Sequence, residues 1–514
     1  MSTEPLATPR RIGDAIKRDF RRRPRAAAAA IAVFLSPLLA LFGYAVVAHR
    51  LLSGPRLREW INVHPKSLTM TWDEASSFWP GRIAIQNLTI RGSDRNVEWI
   101  VRLADARVEY SVLALASRTF RCTRLRGSGL SFRLRKKLEQ DDLAAADVSV
   151  LPPIPGFADP PVRERNPAGP RPRNRNPWRV DVRGIRLDDF DDIWIDASHF
   201  QGSARVSGSF FLRPGLLAAI GPARVDFERG AVRLGRSPAE LTASGSVLVT
   251  FAPYEPFAVH GSQVWKKVTG EVNLEAGFDR LEALQYLFRA ARHTCLAEGA
   301  GTSTIHGTIE RGTARGEASV AIADGSVKLE EVALRGDADL SIAIPSWDLA
   351  DGPLDVSGSR AVFKEVESAG SDESRRWWGQ FEVASGRIDS VSSATIRARS
   401  RDARPLLAVL GVDLPGWTRG LLSLEDFSAT AEVAVGPSFA RVKDFEARGG
   451  DFKIQGHYRR DRDRQTRSGA LLIESGILRV GLDIRTGTTK VILFGPKKWY
   501  RKHLVSLRRG GEAG

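Results

Sequence analysis

The side chains that could do chemistry are few and scattered. Of the eight histidines, His260, His293, His306 and His457 share no motif. A zinc hydrolase needs HExxH, a nucleotide site GxxxxGK[ST] and an α/β-hydrolase GxSxG, because each spacing fixes reacting groups on one turn or one helix face. None of the three occurs. The run LDDFDDIWID gathers Asp188, Asp189, Asp191 and Asp192. Such oxygens suit Ca²⁺, but the spacing lacks the loop that would wrap an ion, and a solvated turn is the plainer expectation. Two cysteines, Cys122 and Cys295, stand in no CxxC pair, so they read as buried thiols or as one disulfide. No catalytic residue, metal ligand or cofactor follows from these patterns, and the expectation is a protein that is not an enzyme.

Charge narrows the partners. The chain has 514 residues and a net charge of +16. Residues 1–25 contribute +5 and residues 497–514 another +5, leaving a mild +6 over the long middle. That distribution excludes the concentrated basic face of a nucleic-acid binder. The last segment, GPKKWYRKHLVSLRRGG, interleaves Lys497, Lys498, Arg501 and Lys502 with Trp499 and Tyr500. Rings and cations in this mixture suit an anionic headgroup layer, or simply make a soluble basic tail (496–514).

Ala26 to Ala48 is 23 residues without a charge, preceded by Arg18, Arg21, Arg22, Arg23 and Arg25. Length and flanking charge predict a single transmembrane helix over 26–48 behind a basic cytoplasmic arm (1–25), with the bulk of the chain outside the inner membrane in the periplasm. A cleaved signal peptide is the competing reading, weakened by the length of the run.

The elements that would carry any site are strands. LRVGLDI puts Leu478, Val480, Leu482 and Ile484 on one face, and WRVDV and DFKIQGHY alternate in the same way. This is the signature of half-buried antiparallel strands. A phrase of strand, polar pair, glycine and strand recurs around Gly230, Gly386 and Gly476, and predicts hairpins with glycine in the left-handed position. VDVRGIRL, around Gly184, is a variant that reads as a turn or bulge. Helices are predicted only over DRLEALQYLFRAARHT and DARPLLAVLG. Asp141 to Pro177 holds nine prolines, five arginines and five acids without periodicity, and reads as a disordered insertion. It separates a first β unit (55–140) from a main β domain (178–495). The predicted fold class is all-β, mostly antiparallel, as an elongated curled sheet or groove of hairpin repeats.

The first β unit, with GRIAIQNLTIRG, LADARVEYSVLALASRTF and LRGSGLSFRL, resembles the opening of AsmA-like envelope proteins, the group that includes TamB-type proteins. Gly81, Leu88, Ile90, Leu113, Phe120, Gly127 and Leu130 hold the matching places. DARPLLAVLGVDLPGWTRGLLSLEDFSATAEVAV resembles that family's later pattern. The resemblance implies an apolar β-groove that holds acyl chains and serves phospholipid movement and envelope assembly. On that expectation Val225, Phe227, Val232, Leu234, Leu478, Val480, Leu482 and Ile484 line the groove, and Lys497, Lys498, Trp499, Tyr500, Arg501 and Lys502 touch the membrane. The alternative is a non-lipid scaffold or adhesion-type protein of closed β-sandwiches that binds another envelope component.

Overall fold

A computed structural model describes residues 24–63, 68–93, 96–138, 151–163, 177–214, 216–256, 258–259, 261–288, 294–329, 332–350, 352–368, 376–401, 426–461 and 463–510. Helices α1 (Pro24–Ser53) and α2 (Pro55–Ile61) lead into strands β1 (Leu68–Thr71), β2 (Glu74–Trp79), β3 (Arg82–Ser93) and β4 (Val97–Tyr110). Helix α3 (Val112–Ala116), capped by the Ser111 hydroxyl, precedes β5 (Thr119–Lys136). Then follow β6 (Arg179–Ile195), β7 (Ser198–Arg213), β8 (Leu217–Leu234), β9 (Leu241–Tyr254), β10 (Val268–Phe278), β11 (Thr294–Leu296), β12 (Ala300–Glu310), β13 (Thr313–Leu329) and β14 (Val332–Asp348). The series ends with β15 (Leu354–Asp355), β16 (Arg360–Ser368), β17 (Trp377–Ile388), β18 (Ser392–Ser400), β19 (Phe427–Val435), β20 (Phe439–Gly449), β21 (Phe452–Asp461), β22 (Thr466–Ser475), β23 (Leu478–Arg485), β24 (Thr488–Ile492) and helix α4 (Pro496–Gly510).

Among the described residues the 24 strands form one sheet. β1 and β2 share the edge position beside β3, β11 extends β12, and β15 extends β16. Roughly twenty-one strand positions at about 4.8 Å give a contour of about 100 Å, so the fold is an elongated, mostly antiparallel all-β sheet. All the described strands belong to this one hydrogen-bonded sheet.

One pairing departs from the meander. β5 and β6 run parallel, with Thr119 opposite Arg179 and Leu134 opposite Ile195. A parallel pair cannot be joined by a tight turn; the chain must first travel back along the sheet. The proline-rich stretch makes that return, and its described part does not behave as an unpacked insertion. Ile154 is buried, Leu138 bridges Val162, and strand arginines hold the backbone carbonyls of Pro155, Gly156 and Ala158.

The sheet bends because its strands carry extra residues at matching levels. Asn87, Gly129 and Asp189 have positive φ and sit side by side in register across β3 to β6. Buried residues therefore fall three apart there, as in Ile85 and Leu88, Leu103 and Ala106, or Leu187 and Phe190. The pushed-out residue restores the same core face on both sides of the crease. Asp324, Glu365 and Asp444 repeat the device at the ladder shifts of β13, β16 and β20. Only Gly476 of the three predicted hairpin glycines turns a hairpin with positive φ. Gly230 lies inside β8 at a ladder shift, where a Cβ would meet the Phe200 ring at 2.4 Å, and Gly386 lies inside β17. Gly184 is a bulge, with φ 59°.

The membrane assignment is corrected. A helix does form over the apolar run, but among the described residues no helix is long and apolar enough to cross a membrane. The lower part of α1 is built into the sheet instead. Tyr44 Oη lies 2.7 Å from Ser77 Oγ, Leu52 is buried in the first core, and the Trp72 indole donates to the Leu52 carbonyl at 3.1 Å. The single-pass inner-membrane anchor, the cytoplasmic N-terminus and the periplasmic placement that depended on it are not retained.

The helix predicted at DRLEALQYLFRAARHT is a 3-10 segment, Leu281–Phe288, that plugs a small core with Phe278 and Leu296. The one predicted at DARPLLAVLG lies outside the described residues.

Candidate binding face

Register converts separate alternating strands into one surface. Val320 pairs with Leu340, Leu340 with Ala361, Ala361 with Phe381, Phe381 with Ala398 and Ala398 with Ala429. The row continues through Ala447, Ile454, Ile473 and Val480. Ten strands thus place an apolar side chain at one level of one face. A parallel row two residues away runs Leu274, Ile305, Ala318, Ile342.

Burial divides this face. At the C-terminal end it is closed: Phe427, Ala447, Ile454, Tyr458, Ile473, Val480 and Leu482 form a core. At the N-terminal end Trp72, Leu103, Leu130, Phe190 and Phe200 form another. Between them sits the small core around Phe278 and Leu281, against which Val320 packs, and beyond it the face is only partly covered. Val320, Leu340, Ala361 and Phe381 are half-buried, and Ile305 and Ile342 are exposed to 42% and 38%. Contiguous exposed apolar side chains are the feature by which interaction surfaces are recognised.

The two residue groups expected to line a groove do not meet. Val225, Phe227 and Val232 pack against the N-terminal core, and Val232 and Leu234 against the middle plug. Val480, Leu482 and Ile484 belong to the C-terminal core, and Leu478 is exposed beyond it. Val320, Leu340 and Phe381 were not singled out in sequence, although "DADLSIAI" alternates as cleanly as any strand. Their prominence comes from register, which one strand alone does not reveal.

The basic tail is a docked helix. In α4 Tyr500 is buried against Ala470 and Leu472, Trp499 covers Gly481, and Lys497 reaches Glu474 at 2.5 Å. Lys498, Arg501 and Lys502 lie on the same helix. Beneath it the His457 ring stacks on His503 with centroids 5.3 Å apart, and neither His457 nitrogen has a partner among the described residues. Burial, and then the charge of His503, push His457 down to about 4, while Asp444 opposes the shift. The folded chain therefore keeps this ring neutral while the unfolded chain protonates near 6.5. The stability held above that value is lost as pH falls from about 6.5 to about 4. We expect about 1–3 kcal/mol, discounted for partial solvation, read as lower protection factors of the α4 amides, relative to their intrinsic exchange rates, at pH 4.5 than at pH 7.5. His457→Phe should flatten that dependence; an unchanged pH profile would show that the docking does not depend on this ring.

The acidic run is not a turn. It lies inside β6, where Asp192 accepts from Arg133 at 2.9 Å and contacts His199 at 2.6 Å, while Asp188 is exposed on the other side of the crease. Among the described residues no group of three or more His, Cys, Asp or Glu side chains could hold a metal ion. Cys122 is a free thiol, pushed up to about 11 by burial.

Compared with family models, curated proteins and solved structures, the chain gives no match. The AsmA-like resemblance rests on the residues quoted for it.

Proposed function

We propose that this protein is a non-enzymatic scaffold that binds another protein along the half-open middle of its apolar face. The observation that carries the reading is the apolar row Leu340, Ala361 and Phe381, half-buried between the plug core and the C-terminal core, with Ile305 and Ile342 exposed beside it. A rigid sheet with sealed ends can present such a row at little entropic cost, so a segment laid across it gains apolar burial without folding the scaffold first. The membrane-anchored phospholipid carrier is not taken forward, because the helix it required is absent from the described residues.

The test places a photo-reactive phenylalanine analogue at Leu340 or Phe381, and at Asp339 on the opposite face as the comparison, in the full chain inside its own cells. A protein adduct of one defined mass from positions 340 and 381, and none from 339, is expected. Lipid adducts alone, or equal labelling from both faces, would overturn the reading.

A further inference from the structure

The opposite face of the sheet carries an arrangement that costs stability and gains no ion pair among the described residues. Arg107 pairs with Arg126 across β4 and β5, and Arg126 with Arg186 across β5 and β6. All three are exposed, and none makes an ion pair or side-chain hydrogen bond with another described residue. Like charges directly opposite one another destabilise a sheet. Other arginines nearby do hold acids: Arg82 and Arg124 reach Glu109 at 3.7 and 3.5 Å, and Arg224 holds Asp226 at 2.8 Å.

The row opens onto a cavity. β6, β7 and β8 interrupt their ladders at one level, between Val182 and Ile185, Ser207 and Phe210, and Ile220 and Ala223. The gap is an open pocket of about 610 Å³, lined by Arg186, Ser207, Phe210, Phe211 and Gly221 and by Asp181, which Arg183 pairs at 2.9 Å. Guanidinium groups, an aromatic wall and a glycine-opened backbone thus meet at one place.

We infer that this row and its cavity bind an acidic segment of a protein partner, carboxylates on the three guanidiniums and an apolar side chain in the cavity. The inference rests on the scaffold reading above and names a second contact on the other face. Arginine forks match carboxylates in pairs of hydrogen bonds, and strands about 4.8 Å apart set them near the spacing of successive acidic side chains on a helix turn. The neighbouring charges favour a protein segment over a uniform polyanion. Asp105 and Asp188 flank the row on one side and Glu109 on the other, so a continuous phosphate chain would cross acids as well as arginines.

The experiment titrates the full chain with a fluorescein-labelled, glutamate-rich peptide carrying one leucine, with inorganic polyphosphate as the second probe. Arg107→Gln, Arg126→Gln and Arg186→Gln together should weaken the peptide about tenfold. Arg315→Gln, Arg464→Gln and Arg501→Gln, which remove the same charge elsewhere, should change it less than about twofold. Amide exchange of β4, β5 and β6 in the row variant should hold or slow, since the repulsion is relieved. Equal weakening by both triple variants, no weakening by the row variant, a row that binds polyphosphate but not the peptide, or faster exchange of those strands would each overturn the inference. Loss of the row with protein adducts persisting at Leu340 and Phe381 would remove this contact alone; loss of those adducts would remove the scaffold reading itself.

Discussion

Leu482→Ala should lower stability by about 3 kcal/mol, while Leu340→Ala should cost about 1 kcal/mol or less. The two substitutions delete the same atoms from the same face of the same sheet. Leu482 is fully buried, enclosed by Phe427, Ile454, Tyr458 and Ile473. Removing it forfeits the transfer energy of its methyl groups and leaves a void whose walls are fixed by strands on both sides. Leu340 is half-buried on the partly covered stretch, so water fills the space that truncation leaves and no cavity cost arises. A sheet of this length does not unfold in one step, so the losses are best read locally, as amide exchange of β22 and β23 for the first and of β13 and β14 for the second. Equal losses at the two positions would mean that the middle face is covered in solution. The scaffold reading would then lose its binding surface.

The contrast shows where the sequence was informative. Strand alternation in LRVGLDI and in DFKIQGHY reports a local fact, which face of a strand is apolar; both stretches are strands, and that face is buried or half-buried except at Leu478, while under α4 Gly481 and Asp483 on the other face of β23 are buried as well. The ladder shifts were not legible, because they come from single residues such as Asp324, Glu365 and Asp444 whose positive φ becomes visible only once the strands are paired. The same applies to the arginine row. Arg107, Arg126 and Arg186 are far apart in a chain that returns on itself through a parallel pair, and only register aligns them. Gly230 and Gly386 resembled hairpin glycines because a bulge and a turn ask the same thing of a residue: little bulk beside a close neighbour. The apolar run at 26–48 was legible as a helix. Its length suggested a membrane span, but whether its last turns face lipid or a sheet is a tertiary fact, decided here by Trp72, Ser77 and Leu52.

Proline content was misleading in the same way, and Arg135 measures how much the crossover matters. Its guanidinium is 7% exposed and faces Glu98 at 2.6 Å, the Ala158 carbonyl at 2.6 Å and Asp159, with the Phe157 ring 4.9 Å away. Three of those partners belong to the crossover and one to β4, so one side chain fastens the returning chain to the sheet. Arg135→Ala should cost about 2–4 kcal/mol, because it leaves the Glu98 carboxylate poorly solvated and without its cation. Amides of residues 154–162 should then exchange faster. Arg135→Lys should recover little, since one ammonium cannot point three ways at once. Arg205→Ala provides the comparison: its 2.7 Å pair with Glu228 is more than half exposed on both sides and should be worth under about 1 kcal/mol. If the two alanine variants behave alike, the crossover merely lies on the sheet. If they differ as expected, the parallel pairing of β5 and β6, and the level at which Arg126 meets Arg186, depends on a clamp formed by residues whose composition looked least able to fold.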